Sequence, residues 1–508
     1  MIIDAFAMFD RDPRTNISIT PNVLKKKLSL HLVEHALVCS LQAVFDGHRV
    51  GNSRTLSVCQ ASDGFFLPAA SVNPLSYEGG EAEFRKLREE GFRALALFPH
   101  LQHWSWRAMS AERVVNDAAD ADLPIVANVG NSEEFSSACK VLGQIGKKSL
   151  IRYSGRGAYS IVSELIEAAN RFPALLFDVG CMAQSGIIEH LAKVLGADRL
   201  CIASGAPLNF EAAAFFSLAA SRLDNNKRIE IESANICRVL SLCVPEHPTP
   251  VSDIYLKMKN MPKIDTHWHT GSWQLVEPRT SFECVSEDLT EFNIQYSCSS
   301  SILALNWDIE AGNQETLNLM DQDDRVCGLI VVDPWKPETS LEQIGEYSQN
   351  PRFVGLKTIQ DFYLDREPLG LDHTSYSPIL EWANANGWPI MAHLPGMFEA
   401  AQRYPNALFV AAHSTWRFDK LANLQNVYFD IATSSSRRSD ADFQGLVDSV
   451  GDDRVIFSSD SQLMSPAWTL GKLASSGLEW SVITKILSEN AMRAFPRLAS
   501  LREKMDDR

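Results

Sequence analysis

The chain repeats itself. "IDAFAM" stands near the start and "IDTHWH" past the midpoint, which puts Asp4 and Asp265 261 residues apart. "GNSRTL" begins at Gly51 and "GNQETL" at Gly312, again 261 apart, and "SVNP" and "VVDP" end 260 apart at Pro74 and Pro334. "LPIVANV" pairs with "WPIMAHL", "DRLCIASG" with "DRVIFSSD", and "SANICRVL" with "SENAMRAF". A fixed order of matches at a nearly constant offset predicts a tandem duplication. The 508 residues then fall into two units of about 250, the size near which single cores stop growing.

Each half alternates short apolar runs with longer amphipathic segments. "FRALALF", "LPIVANVG", "KSLIRYS", "ALLFDVG" and "DRLCIAS" read as buried strands in the first half; "CGLIVVDP", "FVGLKTI", "WPIMAHL", "ALFVAAHS", "NVYFDIA" and "DRVIFSS" do so in the second. Strand–helix alternation implies parallel strands. With some eight pairs per unit, the expected fold is α/β, two tandem (β/α)8 TIM-barrel-like domains. The seam is "LCVPEHPTPVSD", where Pro245, Pro248 and Pro250 make a stiff connection. The expected boundaries are residues 1–245, a linker at 246–262, and 263–508.

The bulk chemistry excludes some partners. A net charge of -16 argues against nucleic acid, which requires a concentrated basic face. No run approaches the roughly 20 apolar residues of a membrane-spanning helix. The ten cysteines are scattered with no CxxC pair, as in a reducing compartment. The N-terminus shows no positive region followed by an apolar core. The expectation is a cytoplasmic protein acting on a small molecule.

The chemistry concentrates in the second half. In a barrel of parallel strands the C-terminal strand ends build the active site. Alternation along a strand projects Asp265, His267 and His269 to one side. His393 ends "WPIMAH", His413 ends "LFVAAH", Asp460 ends "VIFSSD", and Lys357 lies in "VGLK". Three histidines and an aspartate suit one divalent metal, Zn²⁺ with Mn²⁺ as the alternative, with a position left for water.

These motifs, "IDTHWH", "IMAHLPG", "VAAHSTW", "VIFSSD" and "ENAMRAF", span roughly Met261–Pro496. This half resembles the metal-dependent amidohydrolase superfamily, in particular the amidohydrolase-related family 2 branch of TIM-barrel hydrolases and decarboxylases. The resemblance implies that His267, His269 and His393 bind the metal. It implies that Asp460 binds the metal or its water and acts as general base, and that His413 orients or polarises substrate or water. Lys357 is either a carbamylated metal bridge or, as preferred for a one-metal branch, a cation for a substrate carboxylate.

Other residues are assigned from their place in the chain. Trp273 is a candidate pocket wall and Arg417 a candidate substrate contact on the loop after the sixth strand. Trp268 reads as packing, and His373 has no assigned role. Asp430 matches Asp178 of the first half and therefore reads as structural. The metal-site positions of the second half fall on Phe6, Met8, Ala96, Asn128, Tyr153 and Gly205 of the first, none a suitable ligand set. Asp4, Pro74, Asp178, Arg199 and Asn235 persist. The first half thus reads as a degenerate barrel without metal. It either stabilises the second or completes its site through "FPHLQHWSWRAM", which carries Arg107; an effector pocket is a third option. Intrachain pairing of the barrels is expected, with a homodimer left open.

The expected activity is hydrolysis of a lactone, ester or amide of a small carboxylate-bearing substrate. A metal-dependent nonoxidative decarboxylase is the rival enzyme, and a non-catalytic metal- or ligand-binding protein the rival of another class.

Overall fold

The structure is a computed structural model and describes residues 1–155, 158–273, 282–359, 367–414 and 420–506. It contains two compact units: Met1–Leu256 with Ser434–Asp440, and Lys257–Thr433 with Ala441–Arg508.

In the first unit the strands are β1 (Ile2–Arg11), β2 (Ser18–Ile19), β3 (Val33–Ser40), β4 (Phe66–Ser71), β5 (Ala94–Leu97), β6 (Ile125–Val129), β7 (Ser149–Tyr153), β8 (Leu175–Asp178) and β9 (Leu200–Cys201). The sheet runs β2-β1-β3-β4-β5-β6-β7-β8-β9. Only β2 is antiparallel, a short flap on β1. Every residue of β5, β6, β7 and β8 is buried, as parallel strands covered on both faces must be. Ala5 N donates to Ile202 O at 2.9 Å and Gly205 N to Phe6 O at 2.9 Å, so the last strand returns to the first.

The second unit holds β10 (Lys263–Thr270), β11 (Ile294–Ser301), β12 (Val326–Val331), β13 (Phe353–Lys357), β14 (Pro389–Ala392), β15 (Leu408–Ala411), β16 (Val427–Asp430) and β17 (Val455–Ile456). These run in sequence order. Thr266 N donates to Phe457 O at 3.2 Å and Asp460 N to His267 O at 2.9 Å. Both units are mixed α/β and TIM-barrel-like.

The repeated residues make the same contacts in each unit. Asn52, on the helix His48–Gln60, donates to Ser71 O at 3.1 Å and accepts from Ser71 N at 2.9 Å. Asn313, on Ile309–Met320, does the same to Val331 at 3.2 and 2.8 Å. A Cβ on Gly51 would lie 2.0 Å from Ala43 N, and one on Gly312 2.2 Å from Ala304 N. Glycine is required at both because two helices touch backbone to backbone. Asn235 Nδ2 donates to Ala197 O and Leu200 O, and Asn490 Nδ2 to Asp452 O and Val455 O.

Two features differ from the sequence expectation. The units divide at Leu256, and part of the expected 246–262 linker is the helix Asp253–Asn260. That helix starts as soon as the prolines end, with Asp253 in its first turn and Lys257 and Lys259 in its last, matching the helix dipole. Ser434–Asp440 belongs to the first unit although it lies inside 263–508. Arg437 bridges antiparallel to Asn209, and Arg438 N donates to Leu208 O at 2.8 Å. Glu211 then pairs with both Arg438 and Lys27. Within "FPHLQHWSWRAM", Trp104 and Trp106 are buried against each other at a centroid distance of 5.0 Å, while Arg107 is exposed. Those aromatics serve the first unit's own core. Among the described residues no helix is long and apolar enough to cross a membrane.

One buried histidine predicts acid sensitivity. His31 stacks on Phe215 at 5.1 Å and its Nδ1 has no hydrogen-bond partner. Burial pushes its pKa down to about 4. An unfolded chain therefore binds a proton there between about pH 6.5 and 4 that the folded chain refuses. Stability falls as pH drops through that window, by about 1.4 kcal/mol per pH unit. His31→Leu is expected to flatten the slope of denaturant stability between pH 6.5 and 4; an unchanged slope would refute the assignment.

Candidate metal centre

The site sits where β10 ends. Extended backbone places His267 and His269 on the same side, with ring centroids 4.9 Å apart. Both are buried. His267 Nδ1 lies 2.6 Å from Asp430 Oδ2, at the end of β16. His269 Nδ1 lies 3.2 Å from Ser300 O and 3.0 Å from Ser300 Oγ, near the end of β11. With Nδ1 so engaged, each ring turns Nε2 to the same space, and the two Nε2 atoms approach to 3.0 Å. Asp460 Oδ1 lies 3.6 Å from His267 Nε2 and 3.4 Å from His269 Nε2. The donor atoms of His267, His269 and Asp460 all fall within 4.8 Å of one another. Two imidazole nitrogens and a carboxylate oxygen sharing one buried space, each imidazole oriented through its other nitrogen, fit a borderline divalent cation.

Burial sets the electrostatics. Desolvation drives the pKa values of His267 and His269 well below the ordinary histidine value, with Lys357 adding to the effect on both. The rings are thus neutral, as ligands must be. Burial pushes Asp460 up to about 7, opposed by the charges of His413 and Lys357. Lys357 Nζ, at the end of β13, lies 2.8 Å from His267 Nε2. His413 Nδ1 donates to the Ala432 carbonyl at 2.9 Å, which leaves Nε2 for the site. His413 (φ 56°) and Asp460 (φ 59°) both adopt the left-handed conformation, which is costly for residues with a Cβ and concentrates at functional sites.

The remaining expected residues fall as follows. His393 lies one residue beyond β14, with its ring 5.3 Å from His413 and outside the His267–His269–Asp460 group. Trp273 is buried, its ring 6.2 Å from His269. Arg417 lies outside the described residues. Trp268 is fully buried. Asp430 was expected to be structural, yet it touches a candidate ligand directly and, with His267 and His413, forms a second group of donors. Ser300 has no motif of its own and escapes sequence reading. Among the described residues, both groups of potential ligands lie in the second unit.

Residues 310–497 match the amidohydrolase family. The matched segment contains Lys357, His393, His413, Asp430 and Asp460; the strand carrying His267 and His269 precedes it. The expected resemblance to amidohydrolases is therefore borne out on the second unit. No curated protein matches the chain. Similar solved structures include a putative amidohydrolase from Staphylococcus aureus, at 14% identity, covering 46% of this chain and 100% of that one, TM-score 0.39. A dihydroxybenzoic acid decarboxylase from Polaromonas sp. JS666 with bound manganese has 15% identity, covering 46% and 97%, TM-score 0.39. The 4-oxalomesaconate hydratase of Rhodopseudomonas palustris has 17% identity, covering 48% and 99%, TM-score 0.37.

Asp430 offers a sharp test of the amidohydrolase-like centre. Its carboxylate fixes the His267 ring from the side away from the shared space. Asp430→Asn is expected to weaken binding of Zn²⁺ or Mn²⁺ by about 10–100-fold, measured by competition with a chromophoric chelator. Unchanged affinity would show that His267 is not a ligand.

Proposed function

We propose that the second unit is a metal-dependent hydrolase acting on a lactone, ester or amide bond of a small, carboxylate-bearing substrate. The observation that carries this reading is the convergence of His267, His269 and Asp460 donor atoms in a unit whose residues 310–497 match the amidohydrolase family. His267 and His269 would hold one divalent metal through Nε2, with Asp460 and His393 completing the set. A bound cation, Zn²⁺ or alternatively Mn²⁺, supplies Lewis acidity and a water that ionises near pH 7.

The chain's own groups do the rest. Asp460 accepts the proton of the attacking water and returns it to the leaving oxygen or nitrogen as the C–O or C–N bond breaks. His413, oriented by the Ala432 carbonyl behind it, turns Nε2 to the site, where it accepts from and orients the attacking water. Lys357 serves as the uncarbamylated cation for the substrate carboxylate, and Trp273 walls the pocket. Burial of every one of these groups except His413 and His393 excludes bulk water and strengthens the electrostatics.

We read the two units as a tandem duplication whose first copy lost the metal. The recurring contacts of Asn52 and Asn313, of Gly51 and Gly312, and of Asn235 and Asn490 support this.

The purified full chain is expected to hold one equivalent of metal, and His267→Ala/His269→Ala to lose it; full retention would sink the site. With a panel of lactones, amides and aromatic carboxylates in ¹⁸O-water, a hydrolase puts the label into the acid product. Release of CO₂ without label incorporation would favour the decarboxylase instead. Asp460→Asn is expected to lower kcat by about 10²–10⁴.

A further inference from the structure

The first unit has its own cavity at the C-terminal end of its strands. It measures about 280 Å³, and its lining includes Arg14, Asn128, Arg152 and Arg437. Asn128 belongs to β6 and Arg152 to β7, side by side in the sheet. Arg437 is anchored in the same unit: its Nε donates to Ser154 O at 2.7 Å, and its neighbours pair with the chain at Leu208 and Asn209.

The chemistry of this mouth is the reverse of the metal centre's. Where the second unit has Asp460, the first has Gly205 in the same left-handed conformation, φ 62° against 59°. A Cβ on Gly205 would meet an Arg152 guanidinium nitrogen at 1.6 Å. A guanidinium thus fills the space that a side chain at this position would need. Arg152 is almost fully buried and tied down, to Asn209 Oδ1 at 2.9 Å, Asn128 Oδ1 at 3.4 Å and Asp178 at 3.4 Å.

Among the described residues, three arginines and one aspartate line the cavity. Arg14 pairs with Asp12 and Arg152 with Asp178. Among the described residues, Arg437 bonds only to backbone carbonyls, those of Ser154 and Gly130. Glu134 bonds the Gly130 amide at 2.8 Å and lies 3.8 Å from His100, and is not part of the lining. His100, which does line the cavity, is kept neutral: burial, with Arg437 and Arg14, pushes its pKa down to about 3. Among the described residues Arg437 has no direct carboxylate partner; Glu134, held on the amide of the same Gly130, feels its charge from outside the lining. Asn128 Nδ2, on a residue only 2% exposed, has no hydrogen-bond partner. An unsatisfied buried donor beside a guanidinium with no direct carboxylate partner among the described residues is an arrangement that an anion completes.

We propose that this cavity is a ligand site for a small organic carboxylate, recognised by Arg437 and Asn128 above the fixed charge of Arg152. The arginines suit a carboxylate, and the volume admits a small acid. The site is separate from the metal centre and does not depend on the activity proposed for it.

The test titrates the full chain calorimetrically with acetate, benzoate and citrate, and separately with inorganic phosphate, at low ionic strength. We expect one saturable carboxylate site that survives in His267→Ala/His269→Ala. We expect it to weaken at least tenfold in Arg437→Ala and in Ser439→Glu, which places a counter-charge on the exposed rim of the cavity. Circular dichroism and the pH 7 melting temperature check that both variants fold; Ser439→Glu alters only an exposed side chain and keeps the test valid if Arg437→Ala does not fold. Loss of the site in the histidine variant would assign it to the second unit and overturn the proposal. So would full affinity in both cavity variants, the absence of saturable binding by all three carboxylates, or saturation by phosphate alone.

Discussion

A buried carboxylate staples the first strand of each barrel to its last. Asp4 Oδ1 accepts from Ser204 N at 2.8 Å and from Phe6 N at 3.2 Å. Asp265 Oδ1 accepts from Ser459 N at 3.0 Å and from His267 N at 3.2 Å. Burial pushes each carboxyl up to about 7, with the hydrogen bonds from the last strand pulling back. A desolvated acid is expensive, and donors fixed in place, the Ser204 and Ser459 hydroxyls and the backbone amides, offset that cost. What the staple determines in the second unit is a separation: one oxygen binds both the amide of His267 and the amide one residue before Asp460. The distances from Asp460 to the two imidazoles follow from it.

The same staple in the first unit serves a different mouth. The backbone turn that presents Asp460 is kept at Gly205, but without a side chain. Phe6 and Met8, at the places of His267 and His269, are fully buried in an apolar cluster with Leu37, Ala96 and Val126. With apolar side chains at these places, a divalent metal there would face bare hydrocarbon. A cation that brings its own covalent tether has no such difficulty. Arg152 is that cation, and it stands beside Asp178 as His267 stands beside Asp430.

Much of this was legible in the sequence for a simple physical reason. Parallel strands are buried on both faces, so they read as short apolar runs, and a repeat doubles the number of times each run can be recognised. The strand-end histidines and Asp460 were visible because polar groups at the end of such runs are rare without a use. What escaped involves contacts between residues far apart in the chain. Ser434–Asp440 reads as an ordinary polar loop; its place is decided by Glu211, some 220 residues earlier, whose buried charge needs Arg438. Ser300 orients His269 partly through its backbone carbonyl, a group that every residue has. The helix Asp253–Asn260 hid behind the prolines that precede it.

Asp430 shows how the repeat itself misleads. Its persistence as Asp178 in a half without metal ligands argued for a structural part. Both units place a carboxylate there. In the second it orients an imidazole at 2.6 Å; in the first it balances a guanidinium at 3.4 Å. In both, Oδ1 accepts from backbone amides, of Ala432 in one case, joined by the Ser458 hydroxyl, and of Gly180 and Ala203 in the other, and Oδ2 faces the nitrogen base. The structural half of this carboxylate is common to the two units, and its other oxygen serves a neutral imidazole in one and a guanidinium in the other.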